Sequence, residues 1–152
     1  MSEMRLKHEP KRDCDLKKIN DRIYHAIKDY SPKTKNILDL GMGRGYFVKK
    51  CRDSELNAWG IDLRELGQNN LIVADAKNLP FKSEIFDTVV DCYLIADITD
   101  FQEHTREDIY QIFNEAKRVL KKGGLFVTVP SERPIEFFDT ELEDTYWGFY
   151  QK

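Results

Sequence analysis

The residues of this 152-residue chain whose types and spacing could do chemistry begin with Asp39-Leu40-Gly41-Met42-Gly43-Arg44-Gly45, an acid followed by three alternating glycines. Glycine at such a turn permits positive φ and lets backbone approach a ligand closely. A helix opening directly after it, at Tyr46-Phe47-Val48-Lys49-Lys50, would aim its first amides at whatever sits above the preceding strand. Asp62 closes the run Gly60-Ile61-Asp62, and a carboxylate there can accept hydrogen bonds from two sugar hydroxyls. Asp75 opens Asp75-Ala76-Lys77-Asn78-Leu79-Pro80-Phe81, where it either meets a ligand or caps a turn. Asp87, at the start of an apolar run, reads better as a loop cap.

Other chemistries fail on spacing. A dinucleotide turn, G-x-G-x-x-G, needs glycine at position 46, which is Tyr46, and no Gly-Lys-Ser/Thr follows to make a P-loop. Cys14, Cys51 and Cys92 form no C-x-x-C pair, and His8, His25 and His104 are scattered, so no metal site is expected.

Elements that could position these residues follow from the hydrophobic periodicity. Leu16, Ile19, Ile23, Ala26, Ile27 and Tyr30 recur at helical steps, which predicts a helix over 13–30 ended by Ser31-Pro32, with residues 1–12 flexible before it. Asn36–Leu40, Ala58–Ile61, Leu71–Ala74, Phe86–Cys92 and Leu125–Val129 read as buried strands. Thr105–Lys121 reads as an amphipathic helix with Ile109, Ile112, Phe113, Ala116, Val119 and Leu120 on one face, stopped by Gly123-Gly124. Strands alternating with crossovers predict one α/β domain: a single open, mostly parallel twisted sheet with helices on both faces.

With these pieces in order, Asp39-x-Gly41-x-Gly43-x-Gly45 resembles motif I of the class I S-adenosylmethionine-dependent methyltransferases. The likeness extends through Asp62, Asp75–Phe81, Phe86–Val90 and Arg118–Gly124, covering 36–130, and is nearest the small-substrate, type 11-like group. It implies a Rossmann-like methyltransferase fold with S-adenosylmethionine as cofactor. By that resemblance, amides around Gly41, Met42, Gly43 and Gly45 face the methionine part, with Asp39 near its amino group. Asp62 with Leu63 holds the ribose, Asp75 and Ala76 meet the adenine edge, and Asp91 and Cys92 floor the site. Cys92 can equally be a small core residue. Asp97 sits where many relatives carry a histidine, so it is the leading base candidate, although a solvated acid beside Asp100 is an equal reading. Tyr93, Tyr46, Tyr24 and His25 could line the acceptor side.

Departures from that pattern are as informative. Only residues 63–70 separate Asp62 from the third strand, too few for the usual crossover helix, which must be reduced or missing. A sheet face left bare becomes an interface, so a homodimer or a docked partner is expected near residues 63–74. Residues 131–152 read as a hairpin, Ile135–Leu142 with Thr145–Gln151, or as a short helix from Pro134 and one strand.

Composition bounds the rest. No apolar run reaches membrane length and residues 1–12 are too polar for a signal peptide, so a cytoplasmic location with no membrane partner is expected. Residues 1–35 carry ten Lys/Arg against six Asp/Glu, residues 131–152 two against six, within a net charge of −3. The basic end is a solvated face or a lip for an anionic substrate; the acidic total argues against tight nucleic-acid binding. The function implied is methyl transfer by in-line displacement to an unidentified acceptor, a small molecule or an exposed group on a larger one. A non-catalytic S-adenosylmethionine-binding subunit that regulates a partner is the alternative.

Overall fold

The computed structural model describes residues 13–95, 106–129, 140–144 and 148–152. Five parallel strands form the body of one sheet: β1 (Asn36–Leu40), β2 (Asn57–Asp62), β3 (Leu71–Val73), β4 (Phe86–Cys92) and β5 (Leu120–Val129). Two antiparallel strands, β6 (Thr140–Asp144) and β7 (Gly148–Gln151), complete a seven-stranded order of β3-β2-β1-β4-β5-β7-β6. The order reverses at β1, between β2 and β4, and open α/β sheets bind ligands above such a switch point.

Alternation along the buried strands divides the core in two. Ile37, Val90, Leu125 and Val127 meet helices α1 (Asp13–Tyr30) and α2 (Tyr46–Asp53) through Ile23, Ile27, Phe47, Val48 and Cys51. On the other face Leu38, Leu40, Val89, Phe126 and Tyr150 meet helix α3 (Arg106–Val119) through Ile112, Phe113, Ala116 and Val119. Helices thus cover both faces of an open, mostly parallel sheet, as expected. No helix among the described residues is long and apolar enough to cross a membrane.

Two expectations are corrected here. Gly123-Gly124 does not stop α3: the helix ends at Val119, and the glycine pair lies inside β5, which starts at Leu120 rather than Leu125. Leu120 already pairs with Phe86, and a register shift follows before Leu125 meets Thr88. Gly124 is needed in that irregular stretch because a Cβ there would lie 2.8 Å from the Lys121 carbonyl oxygen. The tail resolves to the hairpin alternative, β6 with β7, and its beginning at Ile135 lies outside the described residues.

No helix intervenes between β2 and β3. Leu71 pairs with Gly60 and Val73 with Asp62, so the chain need descend only two residues before re-entering the sheet, about 7 Å. Eight residues suffice for that return. The cost is cover: Val73 on the edge strand β3 is 50% exposed, and Leu63, just past the end of β2, is 70% exposed.

Candidate functional site

Where β1, β2 and β4 end side by side, a cavity of about 360 Å³ opens between the strand ends and α3. Six of the residues singled out from sequence line it: Gly41, Asp62, Leu63, Asp75, Ala76 and Cys92. The remaining walls come from Ile61, Arg64, Ala74, Lys77, Leu94, Asp108 and Ile112. Nothing in the sequence marked Asp108 and Ile112 beyond their i, i+4 placement on an amphipathic helix, and Ile112 read simply as core.

The glycine turn is held mostly by its own neighbours. Met42 N donates to the Ile61 carbonyl at 2.9 Å, Gly43 N to Asp62 Oδ2 at 3.2 Å, and Gly45 N to the Met42 carbonyl at 2.8 Å. These three amides are therefore engaged within the protein rather than aimed at a ligand, which narrows the role expected of the turn. Met42 itself is turned under it, 6% exposed, filling the space beside Gly45 and Gly60. Gly41 does reach the cavity at φ +69°, and Leu94 closes on it so tightly that a Cβ there would lie 3.0 Å from Leu94 Cδ1.

Asp62 is the best-supported polar group in the cavity. Its Oδ1 accepts from Arg64 N and Arg64 Nε, each at 3.0 Å, and Oδ2 from Gly43 N at 3.2 Å and Arg64 Nη2 at 3.3 Å. Burial alone would raise its pKa, but the Arg64 hydrogen bonds and charge, with the Gly43 amide, hold it below the usual carboxylate value. Four donors occupy both oxygens, which is about the full capacity of a carboxylate.

Asp39 is its opposite. The side chain is 3% exposed, and Oδ1 has no hydrogen-bond partner among the described residues. Burial, followed by the charges of Asp91 and Asp62, pushes its carboxyl well above the ordinary range. An acid whose folded-state pKa is raised lends stability below its unfolded value, and loses it as pH rises through the folded one. Asp62, Asp87 and Glu115, all lowered, act in the reverse sense, through their own lowered values in acid. Asp39→Asn is therefore expected to flatten the decline of melting temperature as pH rises above the ordinary carboxylate range, and to melt above the native protein at the upper end of the scan. Thermal scans across that range check this; parallel slopes for the two proteins would refute it.

The other expected residues sort themselves by packing. Asp91 is buried and is not among the residues lining the cavity; its Oδ1 accepts Ile95 N at 3.2 Å and Oδ2 accepts the Thr128 hydroxyl at 2.9 Å. Asp75 Oδ1 accepts Lys77 N at 2.9 Å, so the turn-capping role is real and leaves the residue on the cavity wall as well. Asp87 ties two strand starts, accepting Lys35 N, Asn36 N and Lys121 Nζ. Tyr93, at φ +70°, gives its amide to the Val129 carbonyl and packs with the α1–α2 side, not with this cavity. Tyr24 lies edge-on to His25 and below Lys50, and Tyr46 lies below Lys17, all away from the cavity. Asp97 falls outside the described residues.

Comparison with known proteins accords with this geometry. Residues 38–128 match the family described as methyltransferase domain. An uncharacterized protein of Methanocaldococcus jannaschii is 32% identical over 115 residues, covering 71% of this chain and 52% of that protein. The ubiquinone/menaquinone biosynthesis C-methyltransferase UbiE of Vibrio cholerae is 28% identical over 128 residues, covering 72% of this chain and 46% of its own. The chain thus spans about half the length of these relatives. Among solved structures, the PH0226 protein of Pyrococcus horikoshii superposes with a TM-score of 0.63 at 23% identity, over 86% of this chain and 67% of that one.

Proposed function

Because the chain belongs to the methyltransferase domain family, we propose that it transfers a methyl group from S-adenosylmethionine to an acceptor nucleophile. The observation that carries this reading is the cavity at the switch point, with the Asp62 carboxylate at its wall and the orphaned Asp39 oxygen beneath the glycine turn. These residues fit the cofactor: one carboxylate for a sugar diol and an apolar wall of Leu63, Ala76 and Ile112 for a base, while Asp39, buried outside the cavity lining, is the acid that the family resemblance assigns to the ammonium group. When bound, S-adenosylmethionine supplies an activated methyl group on a positively charged sulfur. The chain's own contribution is placement, since holding a nucleophile in line supplies much of the rate. On the acceptor side Asp97 is the base in this reading, and Tyr93 lines the α1–α2 side. No observation favours the non-catalytic alternative.

Calorimetric titration tests the binding half. S-adenosylmethionine and S-adenosylhomocysteine should bind and NAD should not; the reverse preference would sink the proposal. Release of labelled methyl onto a cell-extract fraction tests the transfer half.

Arg64 adds a sharper expectation. Since Asp62 already has a full set of donors, a ribose can bond to it only after the guanidinium lets go. Arg64→Gln should therefore strengthen S-adenosylhomocysteine binding about threefold, and the native affinity should improve as salt screens the ion pair. Weaker binding by the variant would show that Arg64 holds the ligand instead. The exposed Val73 on the β3 edge also supports self-association, the antiparallel pairing of two copies there being self-complementary. Sedimentation giving a monomer mass at about 100 µM would contradict that.

A further inference from the structure

Two stretches that the fold places far apart in sequence, Asn78-Leu79-Pro80-Phe81 and the end of α3, are joined by one pair of side chains. Glu115 Oε2 accepts the Leu79 amide at 2.7 Å, and Arg118 Nη2 donates to the Leu79 carbonyl at 3.1 Å. Both backbone polar groups of one buried residue are thereby held by the same ion pair. Arg118 Nη1 reaches on to the Phe81 carbonyl at 2.8 Å, while Nε and Nη2 donate to the Glu115 oxygens at 2.6 and 2.8 Å. A guanidinium is suited to this because its fixed fork serves several acceptors at once; an ammonium is a point charge. The pair stays ionised, Arg118 lowering the Glu115 carboxyl and Glu115 raising the guanidinium.

What this clamp fixes is a wall of the cavity. The segment it holds begins with Ala74, Asp75, Ala76 and Lys77, all of which line the cavity. Asn78 N bonds to the Asp75 carbonyl at 2.9 Å, so the clamped end and the lining end form one tight turn system. Lys77 Nζ donates to Asp108 Oδ1 at 2.9 Å and ties the near end to α3 a second time. On α3, Asp108 and Ile112 face the cavity, and Glu115 continues the same helix face one turn further on. Loop and helix thus meet at two ionic points, one at the cavity and one beyond it.

We propose that Arg118, acting with Glu115, is a positioning residue for the nucleobase end of the cavity: it fixes residues 74–77 against α3 and so sets affinity for the nucleoside without touching it. The inference rests on the nucleoside reading of the cavity given above. Loss of the clamp frees the Leu79 and Phe81 carbonyls and leaves Glu115 without its cation, so the lining segment samples positions in which the base has no fitted wall.

The test compares Arg118→Gln with Lys121→Ala in calorimetric titrations with S-adenosylhomocysteine. Lys121 makes an ion pair of similar exposure with Asp87, at 2.7 Å, but at the opposite end of the strands from the cavity. Both changes should lower the melting temperature. R118Q should bind about tenfold more weakly and K121A within about twofold of the native protein, since remote sites are energetically independent. In a methyl-transfer assay R118Q should raise KM for S-adenosylmethionine with kcat nearly unchanged, the sign of lost binding rather than lost chemistry. Glu115→Gln, which keeps an acceptor for the Leu79 amide, gives a milder form, with about threefold weaker binding and faster exchange of that amide. Native-like binding by R118Q or E115Q, or an equal loss in K121A, overturns the inference. A native protein that binds no S-adenosylhomocysteine overturns the nucleoside reading instead, so the two failures are distinct.

Discussion

Replacing Asp62 by alanine is expected to weaken S-adenosylhomocysteine binding about a hundredfold or more, equivalent to about 3 kcal/mol, at little cost to folding. The carboxylate is 7% exposed and its pKa is lowered, so it is charged across the neutral range and can accept from two hydroxyls once the Arg64 guanidinium has left it. Hydrogen bonds to a charged acceptor are worth about 1.5–3 kcal/mol each, and two would be lost together. Folding suffers less because the groups left behind are provided for: the Arg64 guanidinium is largely exposed and can return to water, and the fixed partners lost are those of two amides, Arg64 N and Gly43 N. Asp62→Asn should fall between, keeping one acceptor. Calorimetry and thermal melting, run side by side, separate the two effects. Binding that survives D62A unchanged would remove the sugar from this end of the cavity.

The largest expected loss of stability is at Gly60→Ala. A Cβ on Gly60 would lie 2.2 Å from Met42 Sδ, 2.6 Å from its Cβ and 2.7 Å from its Cγ. The flexible end of a methionine could give way, but the Met42 Cβ is fixed to a turn whose backbone is bonded to Ile61 and Asp62. Relief therefore requires moving the turn off β2. Overpacking of this kind costs about 1–3 kcal/mol and here should reach the upper end, lowering the melting temperature by about 9 °C in a chain of this length. Because the same shift drags Gly43 from Asp62, G60A should also weaken ligand binding, whereas Gly67→Ala, where an added Cβ meets nothing within 4 Å, should leave binding alone despite its strained φ of +68°. A variant G60A that melts like the native protein would show that Met42 repacks freely.

How far the sequence could lead depended on whether a feature is local. β1 and β4 stand where their apolar runs lie, and the absent crossover helix was legible because eight residues are too few to build one. Asp62, Asp75 and Ala76 reach the cavity because strand ends and the residues after them are fixed by the strands themselves. Long-range packing was not legible. Nothing in Gly41–Gly45 says that three amides turn inward, or that Met42 becomes the wedge under the turn. Arg64 closes onto Asp62 from two residues away, but nothing in the sequence says that the Gly43 amide, nineteen residues distant, shares the same carboxylate. The end of α3 was misplaced because Gly123-Gly124 carries a stop signal, while pairing of Leu120 with Phe86 had already drawn the chain into the sheet. Arg118 shows the same lesson from the other side: it lies in the Arg118–Gly124 motif, but the carbonyls it holds are 37 and 39 residues away.

A crystal structure of the protein with S-adenosylhomocysteine bound tests the central claim most directly. It should show the ribose hydroxyls on the Asp62 carboxylate, the Arg64 guanidinium displaced from it, and the base against Ala76 and Ile112. A ligand seated elsewhere, or Asp62 still holding Arg64 with the ligand present, would contradict the account.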